Sequence, residues 1–380
     1  MTGSQTAPLD AIEALFQEVG PDGISPIARP APLLRPSALA WVRFEKRDLA
    51  RQGRFLRDFG LAIAEQTESD LYARGTDGSP FCYHARRGRR SRFVGVGLVL
   101  DSAEELERAA ELPGATPIRD VEGPGGGRCV TLHDPNGFAV EYVYGRRCCD
   151  QRPAQRAPAV ANCVGARRRL NAPVRPPFEP AMVAGLGHVV LQVTDFDATL
   201  EWWMRHAGLV PSDVQVLSDG SPNLAFCRFD RGDTPTDHHA IAIAGGIGAL
   251  YMHSAYQVRD MEAVGQGQQA LKAGGWKHGW GIGRHYYGSQ IFDYWRDPDG
   301  MLMEHYTDGD LYDASVPTRY SRFSRGSTWM WGQDQPGDFE GVNPGAIWLM
   351  LRNLLSGRIK LFRLKLVLAS MKDAPRPWLK

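Results

Sequence analysis

The chain has no strong excess of charge of either sign. Its 380 residues contain 44 Lys and Arg against 43 Asp and Glu, so the formal net charge is +1. This balance argues against nucleic acid as a partner. Two arginine-rich stretches, 86–92 and 165–170, are the main basic clusters, and solvated loops explain clusters of that size without any partner.

Cysteine is scarce and irregularly placed. None of the six cysteines has the spacing of a zinc site, and the adjacent pair Cys148 and Cys149 suits neither a compact metal site nor a disulfide. Such usage is typical of a reducing compartment. The first residues also lack a basic segment followed by an apolar one, which a secretory signal requires. We therefore expect a cytoplasmic protein.

Long apolar runs are missing as well. No uncharged apolar stretch reaches the roughly 18 residues that a spanning helix needs, so we expect no membrane-spanning segment. The composition, 43% hydrophobic and 23% charged, is ordinary for a globular protein. A chain of this length can form two domains, each with its own core.

Two stretches, 36–145 and 181–312, share one order of patterns. Each begins with a strand pattern, continues with a helix pattern and closes on an Asp-Pro-Asx-Gly turn followed by a strand. We interpret them as divergent copies of one unit. The rest is interpreted as an N-terminal extension (1–35), a linker rich in Pro, Ala and Arg (146–180) and a covering segment with a helical tail (313–380).

The tail combines apolar and basic residues in a helix-capable run at 346–370 that is broken at Ser356-Gly357. Three uses fit this composition: packing on the domain, contact within an oligomer, or a helix that lies on a membrane surface. The preceding stretch, 323–341, is polar and rich in turn residues, as expected of a lid.

Three residues of the second copy form a candidate metal site. His188, His253 and Glu304 each lie within a short strand pattern, and two imidazoles with one carboxylate are the facial ligand set of non-haem Fe(II). Side chains of a strand alternate between its faces, so His305 should point away from Glu304. The first copy places Trp41 at the position of His188, Gly95 near that of His253 and Glu141 at that of Glu304. We therefore expect metal only in the second copy.

Four segments of the second copy carry a specific resemblance: GHVVLQVTD, DHHAIAIAGGIGALYMHSAYQV, GRHYYGSQIFDYWRDPDG and MEHYTDGD. Together with the repeat, they make the chain similar to the type I extradiol ring-cleavage dioxygenases of the vicinal oxygen chelate superfamily. The resemblance covers about 36–312. It implies an α+β fold of two tandem domains, each of paired βαβββ modules, to which the helical tail is an addition. It also implies assembly into a homo-oligomer.

The same resemblance implies roles for individual residues. His188, His253 and Glu304 match the family's metal ligands. A family histidine that acts as the acid–base group matches His239, with His238 as the alternative, since alternation says only that one of the two faces inward. His285 and Tyr294 match substrate-binding positions and are also catalytic candidates. Arg284, beside His285, is a further substrate-binding candidate.

The implied function is cleavage of a catechol-type ring by O2 with Fe(II), or with Mn(II), which the same ligands bind. The product would be a 2-hydroxymuconic-semialdehyde-type acid, formed in the degradation of aromatic compounds. Two other kinds of enzyme share the superfamily, a hydroquinone-type ring-cleavage dioxygenase and a glyoxalase-like metal isomerase or lyase. A non-catalytic binding or resistance protein of the same fold is the remaining alternative.

Overall fold

The structure is a computed structural model that describes residues 24–149, 157, 160–339 and 344–372. Most of the predicted N-terminal extension and part of the predicted linker and tail lie outside these residues. The domain boundaries inferred from the sequence remain predictions. Each half of the chain is built on one large sheet.

The first sheet has eight strands in the order β2-β3-β4-β1-β5-β8-β7-β6. Two helices pack on it, α1 after β1 and α2 after β5. The elements are β1 (Ala38–Lys46), α1 (Leu49–Phe59), β2 (Ala62–Gln66), β3 (Asp70–Arg74), β4 (Tyr83–Arg87), β5 (Arg92–Val99), α2 (Ala103–Ala110), β6 (Arg119–Asp120), β7 (Arg128–His133) and β8 (Ala139–Tyr144).

The second sheet has ten strands in the order β19-β10-β11-β13-β9-β14-β17-β16-β15-β20, and β12 pairs separately with β18. Its main elements are β9 (Val183–Val193), α3 (Phe196–Ala207), β10 (Leu209–Val216), β11 (Pro222–Phe229), β12 (Thr236–Asp237), β13 (Ile241–Gly245), β14 (Leu250–Val258), α4 (Met261–Ala273), β15 (Lys277–His285), β16 (Ile291–Arg296) and β17 (Leu302–Thr307). The remaining elements are β18 (Leu311–Tyr312), β19 (Arg319–Arg322), a 3-10 turn (Arg325–Ser327), β20 (Trp329–Gly332), α5 (Pro344–Leu355) and α6 (Leu361–Lys372).

The two sheets have the same topology. Without the edge strands β19 and β20, the second sheet reads β10-β11-β13-β9-β14-β17-β16-β15, which is the order of the first sheet strand for strand. Each sheet is therefore a pair of βαβββ modules joined along their first strands, β1 with β5 and β9 with β14. The predicted α+β class with paired βαβββ modules is confirmed.

The helices that follow β1 and β9 begin and end in the same way. Asp48 and Asp195 cap the N-termini of α1 and α3, where each carboxylate accepts a hydrogen bond from a backbone N–H three residues later. Both helices end at a glycine in the left-handed region, Gly60 at φ 100° and Gly208 at φ 61°. The duplication is therefore visible in local capping as well as in topology.

The two halves are joined through buried contacts. His305 on β17 points away from Glu304, as expected, and its ring stacks on Phe59 of α1 with centroids 3.9 Å apart. Its Nε2 also donates to the Phe59 carbonyl at 2.7 Å. Lys46, at the end of β1, is fully buried and pairs with Asp297 of the Asp-Pro-Asp-Gly turn in the second half. These contacts hold the first half against the back of the strand that carries Glu304.

The segment after β18 crosses the second sheet from one edge to the other. Strand β19 pairs in parallel with β10 at one edge, whereas β20 pairs antiparallel with β15 at the opposite edge. The connecting 3-10 turn places the Ser327 hydroxyl 2.8 Å from the side-chain amide of Gln215. The segment therefore covers one face of the sheet.

The tail forms two helices, α5 and α6, separated at the predicted break. They rest on the second half of the chain through Asn353, whose amide donates to the Ile247 carbonyl at 2.9 Å. Leu364 and Ile359 are buried in the same contact. In the part of the chain that the structure describes, no helix has the length and apolar character needed to cross a membrane.

Candidate active site

The candidate ligands lie on three adjacent central strands, β9, β14 and β17. Ala255 on β14 pairs with His188 on one side and with Glu304 on the other, so these residues form one row across the sheet. His253 precedes Ala255 by two residues and therefore projects from the same face. The three side chains converge, and one potential ligand atom from each lies within 4.8 Å of the others.

Glu304 is the centre of this group. The Nε2 atoms of His188 and His253 each lie 3.3 Å from its Oε2. Glu304 is 0% and His188 2% exposed. Among the described residues, neither carboxylate oxygen of Glu304 has a hydrogen-bond partner. A buried carboxylate without partners is costly, and a divalent cation held by this carboxylate and the two imidazoles would satisfy it.

The protonation states suit that role. Burial raises the pKa of Glu304, but contacts with His188 and His253 outweigh it, and the net pKa lies well below the usual range. Burial lowers the pKa of His253. An ionised carboxylate and neutral imidazoles are the forms in which these side chains bind metals. The residues present therefore fit a divalent transition metal.

The His238–His239 pair immediately precedes β13, next to the His188 strand. The His239 ring lies against the ligand group, with its centroid 4.1 Å from that of His188. His238 lies behind it: its Nδ1 is 3.0 Å from His239 Nδ1, and its Nε2 is 2.6 Å from an oxygen of Asp213. The geometry thus brings His239, rather than His238, to the candidate site.

Asp213 determines the direction of the hydrogen bonds that connect it to His238 and His239. The carboxylate can only accept, so Nε2 of His238 donates to it, and Nδ1 of a neutral His238 is left as an acceptor. His239 then donates from Nδ1 and keeps a free lone pair on Nε2. Burial lowers the pKa of His239 well below the usual range, so the ring is neutral. The neutral ring leaves the Nε2 lone pair available as a proton acceptor.

Sequence reasoning did not identify Asp213 or its partner Arg319. Two nitrogens of Arg319 donate to the Asp213 carboxylate at 3.1 and 2.7 Å. Arg319 lies on β19, and its pairing with Asp213 follows from the parallel alignment of β19 with β10. No local pattern marks this contact, because the two residues are 106 positions apart.

His285 and Tyr294 lie on the other side of the ligand group. Nδ1 of His285 donates to the Thr328 carbonyl at 2.9 Å, and its Nε2 accepts from the Tyr294 hydroxyl at 2.9 Å. Tyr294 pairs with Glu304 across β16 and β17, and its ring centroid is 5.1 Å from that of His253. Burial lowers the pKa of His285 to about 4 and raises that of Tyr294 well above its usual value. Both side chains are neutral near pH 7.

Arg284 makes a different set of contacts. Its guanidinium donates to the Ser289 carbonyl at 2.6 Å and to Asp308 at 2.7 Å. Neighbouring residues of a strand point to opposite faces, so the orientation that brings His285 to the ligand group carries Arg284 away from it. The structure therefore does not bring Arg284 together with the three candidate ligands, which counts against the substrate-binding role expected of it.

Aromatic side chains form a wall beside Tyr294. Trp280 stacks nearly parallel to the Tyr294 ring, with centroids 5.6 Å apart. Trp329 and Phe339, both from the covering segment, pack against Trp280 at 5.3 and 5.1 Å. Trp329 and Phe339 reach this position only because the covering segment crosses the sheet.

In the first sheet, the residues of the equivalent row contact one another and other protein groups. Trp41 pairs with Gly97, which in turn pairs with Glu141, so Glu141 occupies the position of Glu304. Its carboxylate accepts from the Trp41 indole at 3.0 Å and pairs with Arg119 at 2.6 Å and with Arg43 at 2.8 Å. The carboxylate that remains in the first copy is therefore neutralised by protein groups.

Comparison with known proteins agrees with this arrangement. Residues 185–305 match the Glyoxalase/Bleomycin resistance protein/Dioxygenase superfamily. The chain is 29% identical over 316 residues to metapyrocatechase 2 of Cupriavidus necator, with 82% of this chain and 93% of that protein covered. It is 25% identical over 278 residues to 3-methylcatechol 2,3-dioxygenase of Pseudomonas putida, covering 70% and 88% of the two chains.

A solved structure shows the same fold. Homoprotocatechuate 2,3-dioxygenase from Brevibacterium fuscum, in complex with 3,4-dihydroxyphenylacetate, superposes with a TM-score of 0.67 at 18% identity, over 83% of this chain and 94% of that one. The match to the Glyoxalase/Bleomycin resistance protein/Dioxygenase superfamily falls on the part of the chain that carries the three candidate ligands. Over most of its length, the chain is therefore similar to a metapyrocatechase and to a 3-methylcatechol 2,3-dioxygenase.

Proposed function

We propose that the protein cleaves a catechol-type ring next to its hydroxyl pair with O2 and an Fe(II) ion held by His188, His253 and Glu304. The observation that carries the proposal is the buried Glu304 carboxylate, which has no hydrogen-bond partner among the described residues and lies 3.3 Å from two imidazole nitrogens. In the first sheet, the equivalent carboxylate of Glu141 is neutralised by Arg43 and Arg119. An ionised carboxylate left unpaired in the core is instead suited to a cation.

The protein groups around the ligands have separate roles in this proposal. The metal, when bound, supplies Lewis-acid and redox chemistry that lets a catecholic substrate react with O2. Nε2 of His239 takes the proton of a substrate hydroxyl and returns it later, since its Nδ1 is held as a donor to His238. His285 and Tyr294 form a hydrogen-bonded pair that orients the second hydroxyl.

The substrate class rests on the site and on the relatives. Trp280, Trp329 and Phe339 form a buried aromatic cluster beside Tyr294, and apolar surroundings next to a few polar groups suit an aromatic substrate. One relative is named as a 3-methylcatechol 2,3-dioxygenase, and a protein of the same fold was solved with 3,4-dihydroxyphenylacetate. We therefore propose a catechol with a 2-hydroxymuconic-semialdehyde-type product, cytoplasmic activity and assembly into a homo-oligomer.

Anaerobic reconstitution tests the proposal. Purified protein is loaded with Fe(II) or with Mn(II), and O2 uptake is followed with catechol, 3-methylcatechol, 3,4-dihydroxyphenylacetate and hydroquinone. We expect one O2 consumed per ring with the catechols and a yellow product. Uptake with hydroquinone alone would reassign the ring position, and turnover of a glutathione hemithioacetal without O2 uptake would indicate an isomerase. Metal binding without any turnover would leave the binding-protein alternative.

A further inference from the structure

The helices α5 and α6 expose an unusual amount of apolar surface. Seventeen large hydrophobic side chains are exposed among the described residues, and seven of them lie in the 29 residues 344–372. On α5, Ile347, Leu351 and Leu355 follow one another at intervals of four residues and form a stripe with Trp348 beside it. Leu355 is 89% and Trp348 62% exposed.

The second helix also exposes apolar side chains. Leu361 and Phe362 are exposed at its start and Leu368 two turns later, while Leu364 between them is buried against the rest of the protein. The two helices together, residues 344–372, are called the hairpin. Among the described residues, the hairpin is anchored on one side by buried contacts and uncovered on the other. Seven exposed large hydrophobic side chains within 29 residues of a folded protein indicate an interaction surface.

The charge of the hairpin indicates what it meets. The segment 344–372 contains six basic residues and no acidic residue, in a chain whose net charge is only +1. The bases are Arg352, Arg358, Lys360, Arg363, Lys365 and Lys372. Arg352 lies over the exposed Trp348 ring at 5.6 Å from its centroid, so cationic and apolar groups share one surface. Its complement is a partner that is both apolar and anionic.

A second copy of this chain does not offer that complement. A symmetric contact through this surface would place the same patch against itself. Arg363 pairs with Asp197 of the same chain, and the five other bases of each segment would repel those of the second copy. Each helix has 12 residues, a length of about 18 Å, which is well short of the roughly 30 Å apolar thickness of a bilayer. The hairpin therefore suits the bilayer surface rather than its interior.

We propose that α5 and α6 bind the surface of a membrane that contains anionic phospholipids. The exposed Trp, Phe, Leu and Ile side chains enter the boundary between headgroups and acyl chains, while Lys and Arg meet the lipid phosphates. Helix α6 also contacts the 3-10 turn at 325–327, in the segment that covers the candidate active site. Binding at the hairpin would hold that covered face close to the bilayer.

Vesicle flotation of the full chain tests this proposal. Vesicles of phosphatidylcholine are compared with vesicles that also contain about 30 mol% phosphatidylglycerol, at ~0.1 M and ~0.5 M NaCl. We expect flotation with the anionic vesicles only, and a loss of binding at the higher salt concentration. Because this comparison needs no variant, it decides the question even if a substituted chain fails to fold. Equal flotation with both vesicle types, or none with either, would overturn the proposal.

Two matched variants locate the contact. Leu355→Glu/Phe362→Glu should reduce binding at least tenfold, because it places two carboxylates on the membrane face. The control Leu170→Glu/Phe178→Glu makes the same change at linker residues that are 83% and 72% exposed, and it should bind like the wild type. Lys360→Gln/Lys365→Gln should weaken binding about 25-fold, at roughly fivefold per charge. Circular dichroism checks that each variant is folded.

An equal loss in the control would count against the hairpin. Sedimentation velocity tests the alternative that a second copy of this chain binds the same surface. If the wild type self-associates, binds no vesicles, and is dissociated by Leu355→Glu/Phe362→Glu, the surface is a contact between copies of the chain and the membrane proposal is wrong.

Discussion

Glu141 and Glu304 occupy equivalent positions in the two sheets, and their surroundings are opposite. Glu141 accepts a hydrogen bond from the Trp41 indole and pairs with Arg43 and Arg119. Glu304 is as deeply buried but has no hydrogen-bond partner among the described residues. One carboxylate is thus neutralised by arginine, and the other is left for a cation that two imidazoles help to hold.

This difference predicts how the metal content responds to substitution. His188→Ala should remove most of the bound iron, because one imidazole and one carboxylate do not hold a facial site. Glu141→Gln, the matched change in the first sheet, should leave the iron content unchanged. Elemental analysis after anaerobic reconstitution measures both. Full iron occupancy in His188→Ala would exclude the proposed ligand set, and iron loss in Glu141→Gln would show that the first half contributes to it.

The two adjacent histidines should separate in a kinetic experiment. His239→Ala should keep iron and substrate binding but lose kcat by about 10²- to 10⁴-fold, as expected when a general acid–base group is removed. His238→Ala should lose less, because His238 acts through its hydrogen bond to His239. Steady-state O2 uptake gives both values. A normal rate in His239→Ala with a collapse in His238→Ala would transfer the acid–base role to His238.

Asp213 provides a test of the hydrogen-bond direction. Asp213→Asn keeps the shape of the side chain but allows its amide to donate, so the donor and acceptor roles of His238 and His239 are no longer determined. We expect kcat to fall about 10- to 100-fold, which is typical of a lost orienting partner, with KM and iron content unchanged. Arg319→Lys, which retains a positive charge beside Asp213, should have a smaller effect. A changed iron content with normal kcat would mean that Asp213 only supports the fold.

The buried pair between the two halves predicts a loss of stability. Lys46 is 0% exposed, and its partner Asp297 has a side chain only 2% exposed. Lys46→Met leaves the Asp297 charge buried and should lower the free energy of unfolding by about 3–5 kcal/mol. In Lys46→Met/Asp297→Asn the unpaired charge is gone, and most of the stability should return. Urea denaturation measures the two variants, and equal stability of both would show that the pair is not a buried charge contact.

His84 predicts a pH dependence of stability that is independent of the metal site. Burial lowers its pKa from 6.5 to about 4, although its hydrogen bond to Asp70 acts in the opposite direction. Because the folded-state pKa lies below the unfolded one, the unfolded chain takes up the proton first. The stability that depends on neutral His84 is therefore complete above about pH 6.5 and is lost as the pH falls toward 4.

A phenylalanine variant isolates that contribution. His84 stacks on Tyr72 with centroids 4.4 Å apart, so His84→Phe keeps a ring in place and removes the titration. Between pH 7 and 4.5, the wild type should lose about 2 kcal/mol more stability than the variant. Urea denaturation across this range measures the difference, and parallel curves for the two proteins would contradict the assignment.

Much of the fold follows from local patterns. The turn residues Asp-Pro-Asx-Gly and the alternation along short strands are properties of neighbouring residues, so the repeat and the break in the tail could be predicted. The βαβββ units were implied by the family resemblance. The orientation of His305 away from Glu304 follows from the same alternation. Arg284 shows where the sequence was insufficient. Its position beside His285 suggested a role in substrate binding, but its side chain contacts Ser289 and Asp308.

The sequence by itself determined which residues could bind a metal, because His188, His253 and Glu304 lie on recognisable strands and have no equivalent histidines in the first copy. Only the tertiary structure decided how they are used. The pairing of β9, β14 and β17 places them on one face, and Asp213 and Arg319 join the site through strands far apart in the chain. The choice of His239 over His238 depends on these long-range contacts, since local alternation allows either residue to face inward.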